Sequence, residues 1–422
     1  MRQGDRQDSR RLWHPYTRLS AVDSGALPSM ARGEGIHLFD EAGVRYTDAI
    51  ASWWCNALGH GHPRIVEAIR RQAGELQHSI LGNLSHPRAE ELARRLAELM
   101  PTPDRHVLFA SDGASAVEAA LKIALQFRTN TGQSGRKRFA YLDGAYHGDT
   151  LGAVSVGYLE GFHKPFEPVL FPAFEVPVPR ACSTEEDCFL KTAALFAERR
   201  DELTALIVEP LCQGAAGMRM YTPAYLQRLS DLCRKHDVLL IADEIATGFG
   251  RTGRMFAFEH AGIDPDIVCV GKALSAGYLP ISATVVKDEI YRTFSDTPED
   301  HSFYHGHTFC GNPIAAAAAL EALRIYAEER IWEKAAALGE VFKEVLKPLQ
   351  ARDGVKEVRV LGAIAAVELD SAAAARTVRD RLLARRILAR PLGTVVYLMP
   401  PLNIGREEAA ALARSLLDAI TA

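Results

Sequence analysis

The chain has no long hydrophobic run, no paired-cysteine motif and no strong charge of either sign. No apolar stretch approaches the roughly 20 residues that a membrane-spanning helix needs. The polar residues 1–10 lack the apolar core of a signal peptide, so we expect a soluble, cytoplasmic protein. The net charge of −4 is small for 422 residues and gives no reason to expect a nucleic acid or a membrane as partner.

The seven cysteines are scattered, and only Cys182 and Cys188 lie close together in the sequence. This pattern argues against a disulfide framework or a cysteine-based zinc site, and it favours a reducing compartment. The pairs His60-Gly-His62 and His305-Gly-His307 have no cysteine or acidic ligands at the usual spacing. We therefore predict no metal site.

Short apolar runs alternate with helical patterns from about residue 105 to residue 290. This order is typical of an α/β fold with a mostly parallel sheet and helices on both faces. The predicted strands are 106–110, 137–142, 204–208, 238–242, 266–270 and 281–286, and the predicted helices are 114–128, 186–200 and 223–236.

After about residue 325 the pattern becomes that of a smaller α+β unit. We expect residues 61–325 to form the large domain, and residues 1–60 to join a small domain formed by residues 326–422. The predicted elements of the C-terminal part are a helix near 330–350, a strand at 355–368, a helix at 371–386, a strand at 394–398 and a helix at 405–421.

Lys272 and Asp243 each stand at the end of a short apolar run. In an open α/β sheet, ligands bind beyond the carboxyl ends of the strands, so an amine and a carboxylate at two such ends can face one cavity. This pair suits pyridoxal phosphate (PLP), whose aldehyde forms a Schiff base with a lysine while an acid pairs with its pyridine nitrogen. On these two residues alone, a surface lysine and a helix-capping aspartate remain an equal alternative.

Two further segments are candidates for cofactor binding. Residues 110–117 are small and open a predicted helix, and the N–H groups at such a helix start form an anion site. A simple helix cap by Ser111 or Asp112 is the alternative. Tyr146 lies in the loop that follows the predicted strand 137–142, where an aromatic ring can stack on a flat cofactor.

The sequence Gly248-Phe-Gly-Arg-Thr-Gly253 matches the dinucleotide pattern G-x-G-x-x-G and raises the alternative of an NAD(P)-dependent oxidoreductase. We discount this alternative because Asp243 and Glu244 stand between the strand and the glycines, where they would repel a pyrophosphate. Ser275 and Ser282 lie in no G-x-S-x-G motif, so a serine hydrolase is not favoured.

Adjacent Trp53 and Trp54 cannot both face one core in a strand, so we expect at least one of them to line a groove or an interface, with core packing of both in a loop as the alternative. Arg390 precedes the predicted strand 394–398, and arginine is a common clamp for carboxylates. Local sequence alone favours a solvated side chain for Arg390.

Together these features resemble the class III PLP-dependent aminotransferases. The match runs from Trp13-His-Pro-Tyr-Thr17 to Tyr397-Leu-Met-Pro-Pro401. Within the class the chain is most like the members that convert 8-amino-7-oxononanoate to 7,8-diaminononanoate in biotin synthesis. The narrower resemblance is carried by Trp13–Thr17, by Ser52-Trp-Trp54, by residues 242–253, which include Ala246 where many relatives have Gln, and by Val358-Arg-Val-Leu-Gly-Ala363.

The resemblance implies fold type I, with a large sheet domain of the seven-stranded type and PLP as cofactor. Lys272 would carry PLP as a Schiff base, Asp243 would pair with the pyridine nitrogen, and Tyr146 would lie over the ring. Gly113 and Ala114 would contact the phosphate.

The resemblance also implies a homodimer with shared active sites, since Gly306, His307 and Thr308 would complete the phosphate site of the neighbouring subunit. Small-molecule substrates, 8-amino-7-oxononanoate and an amino donor, are the expected partners. The residues expected to contact substrate are Tyr16, Trp53, Asp149, Arg251, Gly306 and Arg390.

Some positions depart from the best-known members of the class. Ala114 stands where a serine often contacts the phosphate, and Ser111 or Ser115 is a candidate replacement. The segments 155–158, 277–280 and 305–308 resemble those of relatives that use lysine as donor. We favour S-adenosylmethionine as the donor on the narrower resemblance, with lysine or another class III ω-aminotransferase reaction as the alternative.

Overall fold

The computed structural model describes residues 11–23 and 28–422. The helices are Leu19–Asp23, Pro63–Glu75, Pro87–Glu98, Gly113–Asn130, Leu151–Ser155, Glu160–His163, Glu185–Arg199, Pro223–Lys235, Asp288–Tyr291, Pro313–Glu328, Ile331–Leu346, Ala372–Ala384 and Arg406–Thr421, and Ala51–Trp54 is a single left-handed turn. Short 3-10 turns span Lys164–Val169, Ala257–Ala261, Lys272–Ser275, Arg292–Phe294 and Lys347–Ala351. No helix in this part of the chain is both long and apolar enough to cross a bilayer.

A seven-stranded sheet forms the centre of the structure. One strand, Ser282–Lys287, runs antiparallel to both of its neighbours, and the remaining strands are parallel to one another. In spatial order the strands are Arg105–Ala110, Ser282–Lys287, Ile267–Val270, Leu239–Asp243, Leu203–Val208, Arg138–Leu142 and Phe174–Val176. The predicted α/β fold and its six predicted strands are confirmed, whereas the edge strand Phe174–Val176 was not predicted.

The central strands are apolar on both faces because helices cover both sides of the sheet. Every residue of Leu203–Val208 is buried. One face packs against the helix Gly113–Asn130, whose Ala116, Val117 and Ala120 belong to the same core cluster as Ile207. Neighbouring residues such as Leu206 point to the opposite face and join the larger core.

A three-stranded antiparallel sheet lies in the C-terminal part of the chain, in the order Val355–Leu361, Ile364–Leu369 and Val395–Leu398. The single strand expected at 355–368 is therefore wrong, because the chain reverses at Gly362, which has a φ of +52°. A Cβ at Gly362 would lie 2.4 Å from the backbone of Thr252, so only glycine fits this turn.

A third sheet joins the two ends of the chain. Its order is Met30–Glu34, His37–Asp40, Arg45–Asp48 and Ile387–Leu388, and the last two strands pair in parallel. A separate antiparallel ribbon consists of the two short strands Cys212–Gln213 and Arg219–Met220. Cys182 and Cys188 form a disulfide that the cysteine pattern did not predict.

Candidate active site

Lys272 lies where the strand Ile267–Val270 ends. The strand is fully buried, and Lys272 follows with a φ of +42°, in the left-handed region that L-residues rarely adopt. Such strain persists only where the surroundings enforce it, and it is common at functional sites. The side chain points into a cavity of about 450 Å³, which we call the lysine cavity and which is also lined by Asp243, Tyr146 and Glu209.

Three acidic or basic side chains of the lysine cavity come from neighbouring parallel strands. Glu209 directly follows Leu203–Val208, Asp243 ends Leu239–Asp243, and Lys272 comes just after Ile267–Val270. Their grouping follows from the common direction of these strands. The strand-end rule therefore brings Asp243 and Lys272 together as predicted, and the same rule applies to Glu209, which the sequence analysis overlooked.

Asp243 has a buried histidine as its partner. The His147 Nδ1 atom lies 2.7 Å from Asp243 Oδ2, and both side chains are buried. The backbone N–H of Ile245 donates to the other oxygen of Asp243 at 3.0 Å. These two contacts fix the orientation of the carboxylate toward the cavity. His147 lies in the predicted Tyr146 loop, but nothing in the local sequence indicated its contact.

Burial changes the charge states of the groups around the lysine cavity. It lowers the pKa of the Lys272 amine, and the nearby Asp243 carboxylate partly opposes that change. Burial raises the pKa of Glu209 to about 7, although the backbone N–H groups of Tyr146 and Gly214 donate to its carboxylate at 3.0 and 2.9 Å. An amine with a lowered pKa is better suited to accept a proton near neutral pH.

The helix Gly113–Asn130 starts at the lysine cavity, which Gly113 and Ala114 also line. Asp112 caps this helix by accepting from the N–H of Ser115 at 3.0 Å, and the Ser115 hydroxyl donates to the same carboxylate at 2.9 Å. Gly148 packs so closely that a Cβ there would lie 2.4 Å from the Ala114 side chain. The cavity therefore has a helix N-terminus, which attracts anions, at one end.

A second cavity, of about 320 Å³, adjoins the lysine cavity, and we call it the aromatic cavity. Lys272, Trp54 and Tyr146 line both. The Arg390 guanidinium stands 4.0 Å from the centre of the Trp53 ring, a cation–π contact. The other walls include Tyr16, Phe162 and Tyr397. The aromatic cavity therefore has largely aromatic and apolar sides, and its lining includes the Arg390 guanidinium as well as the Lys272 amine.

Asp149 connects two tyrosines of these cavities. The Tyr146 hydroxyl donates to Asp149 at 3.0 Å, and the Tyr16 hydroxyl donates to its other oxygen. Burial and the adjacent carboxylate raise the pKa of Tyr16 to about 12, so Tyr16 stays protonated and keeps donating. Tyr16, which lies far from the other two in the sequence, thus forms one hydrogen-bonded chain with Asp149 and Tyr146.

The two tryptophans lie in a left-handed turn. Residues Ala51 to Trp54 all have φ between +46° and +74°. Asp48 stabilises the turn, since it accepts from the N–H of Ser52 at 3.0 Å and from its hydroxyl at 2.7 Å. The turn directs Trp53 to the cavity surface, while the buried Trp54 donates to the Tyr397 hydroxyl at 3.0 Å. The expectation that one tryptophan lines a groove is confirmed.

Some predicted site residues lie away from these two cavities. Arg251 is buried and lines neither cavity. It donates to the carbonyl of Pro400 at 2.6 Å, and burial lowers its pKa to about 10. Gly306, His307 and Thr308 belong to a partly exposed segment that lines neither cavity within the described chain.

The glycine loop of Gly248 to Gly253 offers no room for a dinucleotide. A Cβ at Gly248 would lie 2.7 Å from the Glu244 carbonyl, and one at Gly253 would lie 3.2 Å from Ala336. The loop is packed against the helix Ile331–Leu346, so its glycines serve close packing. This finding weighs against the oxidoreductase alternative.

Similar proteins identify the class. The family described as "Aminotransferase class-III" matches residues 20–420. A Synechococcus elongatus protein named adenosylmethionine-8-amino-7-oxononanoate aminotransferase is 42% identical over 92% of this chain and 93% of its own. The crystal structure of the Methanocaldococcus jannaschii protein of that name has a TM-score of 0.94 and 36% identity, covering 99% of this chain and 98% of its own.

A second similar structure contains the cofactor. It is an amine transaminase from an uncultivated Pseudomonas species in its PLP-bound form, with a TM-score of 0.92 and 32% identity over 98% of each chain. A sheet whose strand ends carry a lysine and an aspartate, together with these matches, defines a PLP-dependent transaminase. The chain belongs to the class III aminotransferases, and its cofactor is PLP.

The chemistry of the lysine cavity fits PLP. The cofactor has an aldehyde, a pyridine nitrogen and a phosphate, and the cavity offers a primary amine, a carboxylate and a helix N-terminus. The amine of Lys272 and the oriented carboxylate of Asp243 come from strand ends, and the helix start at Gly113 lies on the same cavity. The Asp112 carboxylate also lines the cavity at this helix start, where both of its oxygens accept hydrogen bonds from Ser115.

Proposed function

We propose that this chain transfers an amino group from S-adenosylmethionine to 8-amino-7-oxononanoate and forms 7,8-diaminononanoate, a step of biotin synthesis. The observation that carries the proposal is the aromatic cavity next to Lys272, with Arg390 as its cationic group. The acceptor has a carboxylate at one end of an apolar chain, which suits aromatic walls and a guanidinium. The names of the similar proteins support the same reaction.

Lys272 is the central catalytic residue of the proposal. Bound PLP supplies an electron sink for the carbon that loses its proton. The Lys272 amine would take that proton from the substrate carbon and later deliver it to the C4′ atom of the cofactor, as general base and then acid. The lowered pKa of this amine favours its neutral form, which the first proton transfer requires.

Asp243 is proposed to keep the pyridine nitrogen protonated through charge pairing. The contacts with His147 at 2.7 Å and with the Ile245 N–H at 3.0 Å hold both carboxylate oxygens in place at the cavity. Tyr146 is proposed to lie over the ring, and its hydroxyl is oriented by Asp149 at 3.0 Å. Gly113 and Ala114 are proposed to bind the phosphate through the N–H groups of the helix start.

Substrate contacts are proposed for Arg390, Trp53 and Tyr16, with Asp149 beside them. Arg390 would bind the acceptor carboxylate, because its guanidinium is held over the ring of Trp53 at 4.0 Å. Arg251 would act from behind the cavity wall, since its side chain is buried and hydrogen-bonded to Pro400.

The proposed active unit is a homodimer. Gly306, His307 and Thr308 of one copy would complete the phosphate site of the other, which agrees with their position away from the cavities of their own chain. The proposed large domain is 61–325, and residues 1–60 join 326–422. The parallel pairing of Ile387–Leu388 with Arg45–Asp48 supports this division. We also propose a cytoplasmic location, which five free thiols support and the disulfide of Cys182 and Cys188 does not.

The second candidate donor is lysine. The segments 155–158, 277–280 and 305–308 resemble those of lysine users. The buried Ser155 hydroxyl donates to the Leu151 carbonyl at 2.7 Å and accepts from the N–H of Phe171 at 3.1 Å. Ser155 thus holds two chain segments together, so this part of the resemblance reflects local packing and gives lysine little support.

Absorption spectra of each half-reaction test the proposal. Purified PLP enzyme mixed with S-adenosylmethionine alone should convert to the pyridoxamine form, and 8-amino-7-oxononanoate should then restore the PLP spectrum. The variant Lys272→Ala should lose both conversions, while Lys191→Ala, which changes an exposed lysine paired with Asp187, should behave as wild type. If the pyridoxamine form does not react with 8-amino-7-oxononanoate, the proposed acceptor is wrong. If free lysine, and not S-adenosylmethionine, converts the PLP enzyme to its pyridoxamine form, the proposed donor is wrong.

A further inference from the structure

A third cavity, of about 620 Å³, adjoins the aromatic cavity on the side away from Lys272, and we call it the outer cavity. Phe162, Ala215 and Leu392 line both the aromatic and the outer cavity. The outer cavity lies beyond the carboxyl end of the strand Arg138–Leu142, and Asp143, the next residue, is part of the cavity lining. Its volume falls within the roughly 300–1,000 Å³ that is typical of small-molecule sites. A ligand that reacts at Lys272 can therefore extend past Phe162 into this space.

Two polar side chains of the outer cavity have spare hydrogen-bonding capacity. The Arg219 Nη1 atom contacts the Asp143 carbonyl at 3.3 Å and the Asp143 carboxylate at 3.4 Å, both long for a charged pair. The other guanidinium nitrogens of Arg219 have no acceptor within the described chain. Both side chains are partly exposed to the cavity. They can accept and donate hydrogen bonds without breaking strong protein contacts.

The walls that carry these groups are firmly held. The Asp143 carbonyl accepts from the Gln213 side chain at 3.0 Å, and Gln213 is buried. The buried Arg359 donates to the carbonyls of Gly217 and Met218 at 2.9 and 3.0 Å, next to Arg219. Such fixed walls favour binding because the wall residues lose little conformational freedom when a ligand enters.

Phe162 provides a flat apolar surface at the junction of the two cavities. Its ring is 43% exposed and stands edge-on to Tyr16, with 5.5 Å between ring centres. The outer cavity therefore combines an exposed aromatic ring with a carboxylate and a guanidinium. Nucleosides are recognised by this combination, since a base stacks on an aromatic ring and a carboxylate binds ribose hydroxyls.

We propose that the outer cavity binds the nucleoside end of the amino donor, with the base against Phe162 and the ribose hydroxyls on Asp143 and Arg219. This inference rests on the proposed function and adds a binding site for the part of S-adenosylmethionine that does not react. Lysine has no group to fill this space. The outer cavity thus explains how one active site accepts a bulky donor and a slender acceptor in turn.

Binding of 5′-methylthioadenosine to the PLP enzyme tests the inference without turnover, because this nucleoside has no amino acid part. Calorimetry should detect binding to wild type, and the compound should compete with S-adenosylmethionine in the donor half-reaction. Asp143→Asn and Arg219→Gln should each weaken its binding about tenfold, the effect of losing a charged hydrogen bond. The same variants should impair the donor half-reaction more than the acceptor half-reaction.

The control is Arg228→Gln, which changes a partly exposed arginine paired with Glu186 outside all three cavities. This variant should bind 5′-methylthioadenosine as wild type does. Absence of binding to wild type, or wild-type affinity in both cavity variants, overturns the inference. Equal impairment of both half-reactions indicates a structural role and also overturns it. The reaction of the pyridoxamine form with 8-amino-7-oxononanoate is measured separately. The proposed acceptor can therefore be correct even if the outer cavity does not bind the nucleoside.

Discussion

The guanidinium of Arg390 stands over the ring of Trp53, 4.0 Å from its centre, although the two residues are far apart in the sequence. Trp53 can take this position because the turn at residues 51–54 is left-handed and is held by Asp48. Arg390 forms no ion pair with the described residues, and its guanidinium donates only a long hydrogen bond to the Tyr16 carbonyl, at 3.4 Å. Arg390 is thereby available for a substrate carboxylate.

Arg390→Ala should weaken the acceptor half-reaction by about tenfold to a hundredfold, because a charge-assisted pair with the carboxylate is lost. The donor half-reaction should change less. Stopped-flow spectra of each half-reaction measure the two effects separately. Arg390→Lys is the matched variant, since it retains the charge without the planar fork, and it should recover part of the affinity. Equal losses in both halves would speak against a role in binding the acceptor.

Asp243→Asn should fold normally and lose at least about a hundredfold in rate, because the neutral amide no longer favours a protonated pyridine nitrogen. The loss should appear in both half-reactions, since both use the same cofactor. Thermal unfolding of the holoenzyme checks the fold. Asp187→Asn is a suitable control, because Asp187 forms an exposed pair with Lys191. A rate near that of wild type would contradict the assigned pairing.

Shared active sites predict that two inactive variants complement each other. Thr308→Asp should repel the phosphate bound by the neighbouring subunit, and Lys272→Ala removes the amine of its own subunit. A hybrid dimer of the two variants contains one fully native site, so random exchange of subunits should restore about a quarter of wild-type activity. Each variant alone should stay inactive. If the mixture stays inactive after exchange is verified, Thr308 does not serve the neighbouring site.

The buried Glu244 should make stability depend on pH. Burial raises its pKa to about 7 in the folded protein, from an ordinary value of 4.5. Between these pH values the folded state holds a proton that the unfolded chain releases, so the free energy of unfolding falls as pH rises, by up to about 1.4 kcal/mol per pH unit. Below pH 4.5 the Glu244 carboxyl is protonated in both the folded and the unfolded protein, so this titration no longer lowers the free energy of unfolding.

Glu244→Gln should remove this part of the pH dependence and flatten the thermal midpoint between about pH 5 and pH 7. The glutamine oxygen can still accept from the Phe258 N–H, which lies 2.9 Å from the native carboxylate, and the amide nitrogen can donate to the Thr247 hydroxyl, which lies 2.7 Å from the other native oxygen. Glu160→Gln, at an exposed site, is the control. A midpoint curve of unchanged slope would mean that Glu244 titrates at an ordinary pKa.

Much of the sheet and the pair of Asp243 and Lys272 could be predicted because they depend on local patterns. Short apolar runs specify buried parallel strands, and the end of a strand has a fixed place in such a sheet. The short edge strand Phe174–Val176 escaped prediction because only three residues form it. The same strand-end rule could have found Glu209.

Other parts of the site depend on contacts between distant segments. The left-handed turn that carries Trp53 is stabilised by Asp48, which also contacts His60 at 3.1 Å. The contact of His147 with Asp243 joins the ends of two strands that are separated in the sheet by Leu203–Val208, so no periodic pattern in the sequence indicates it. The outer cavity forms where the C-terminal sheet meets the large one, so its walls could be recognised only in three dimensions.

The single carboxylate of Glu209 has a consequence for attempts to redesign this enzyme. It accepts hydrogen bonds from the backbone of Tyr146, in the lysine and aromatic cavities, and from Gly214, beside Ala215 in the aromatic and outer cavities. Directed evolution toward new amines would therefore do well to leave Glu209 untouched. Mutations at Phe162 or Leu392 can reshape the substrate range, while Glu209 continues to hold the backbone of Tyr146 and Gly214 in place.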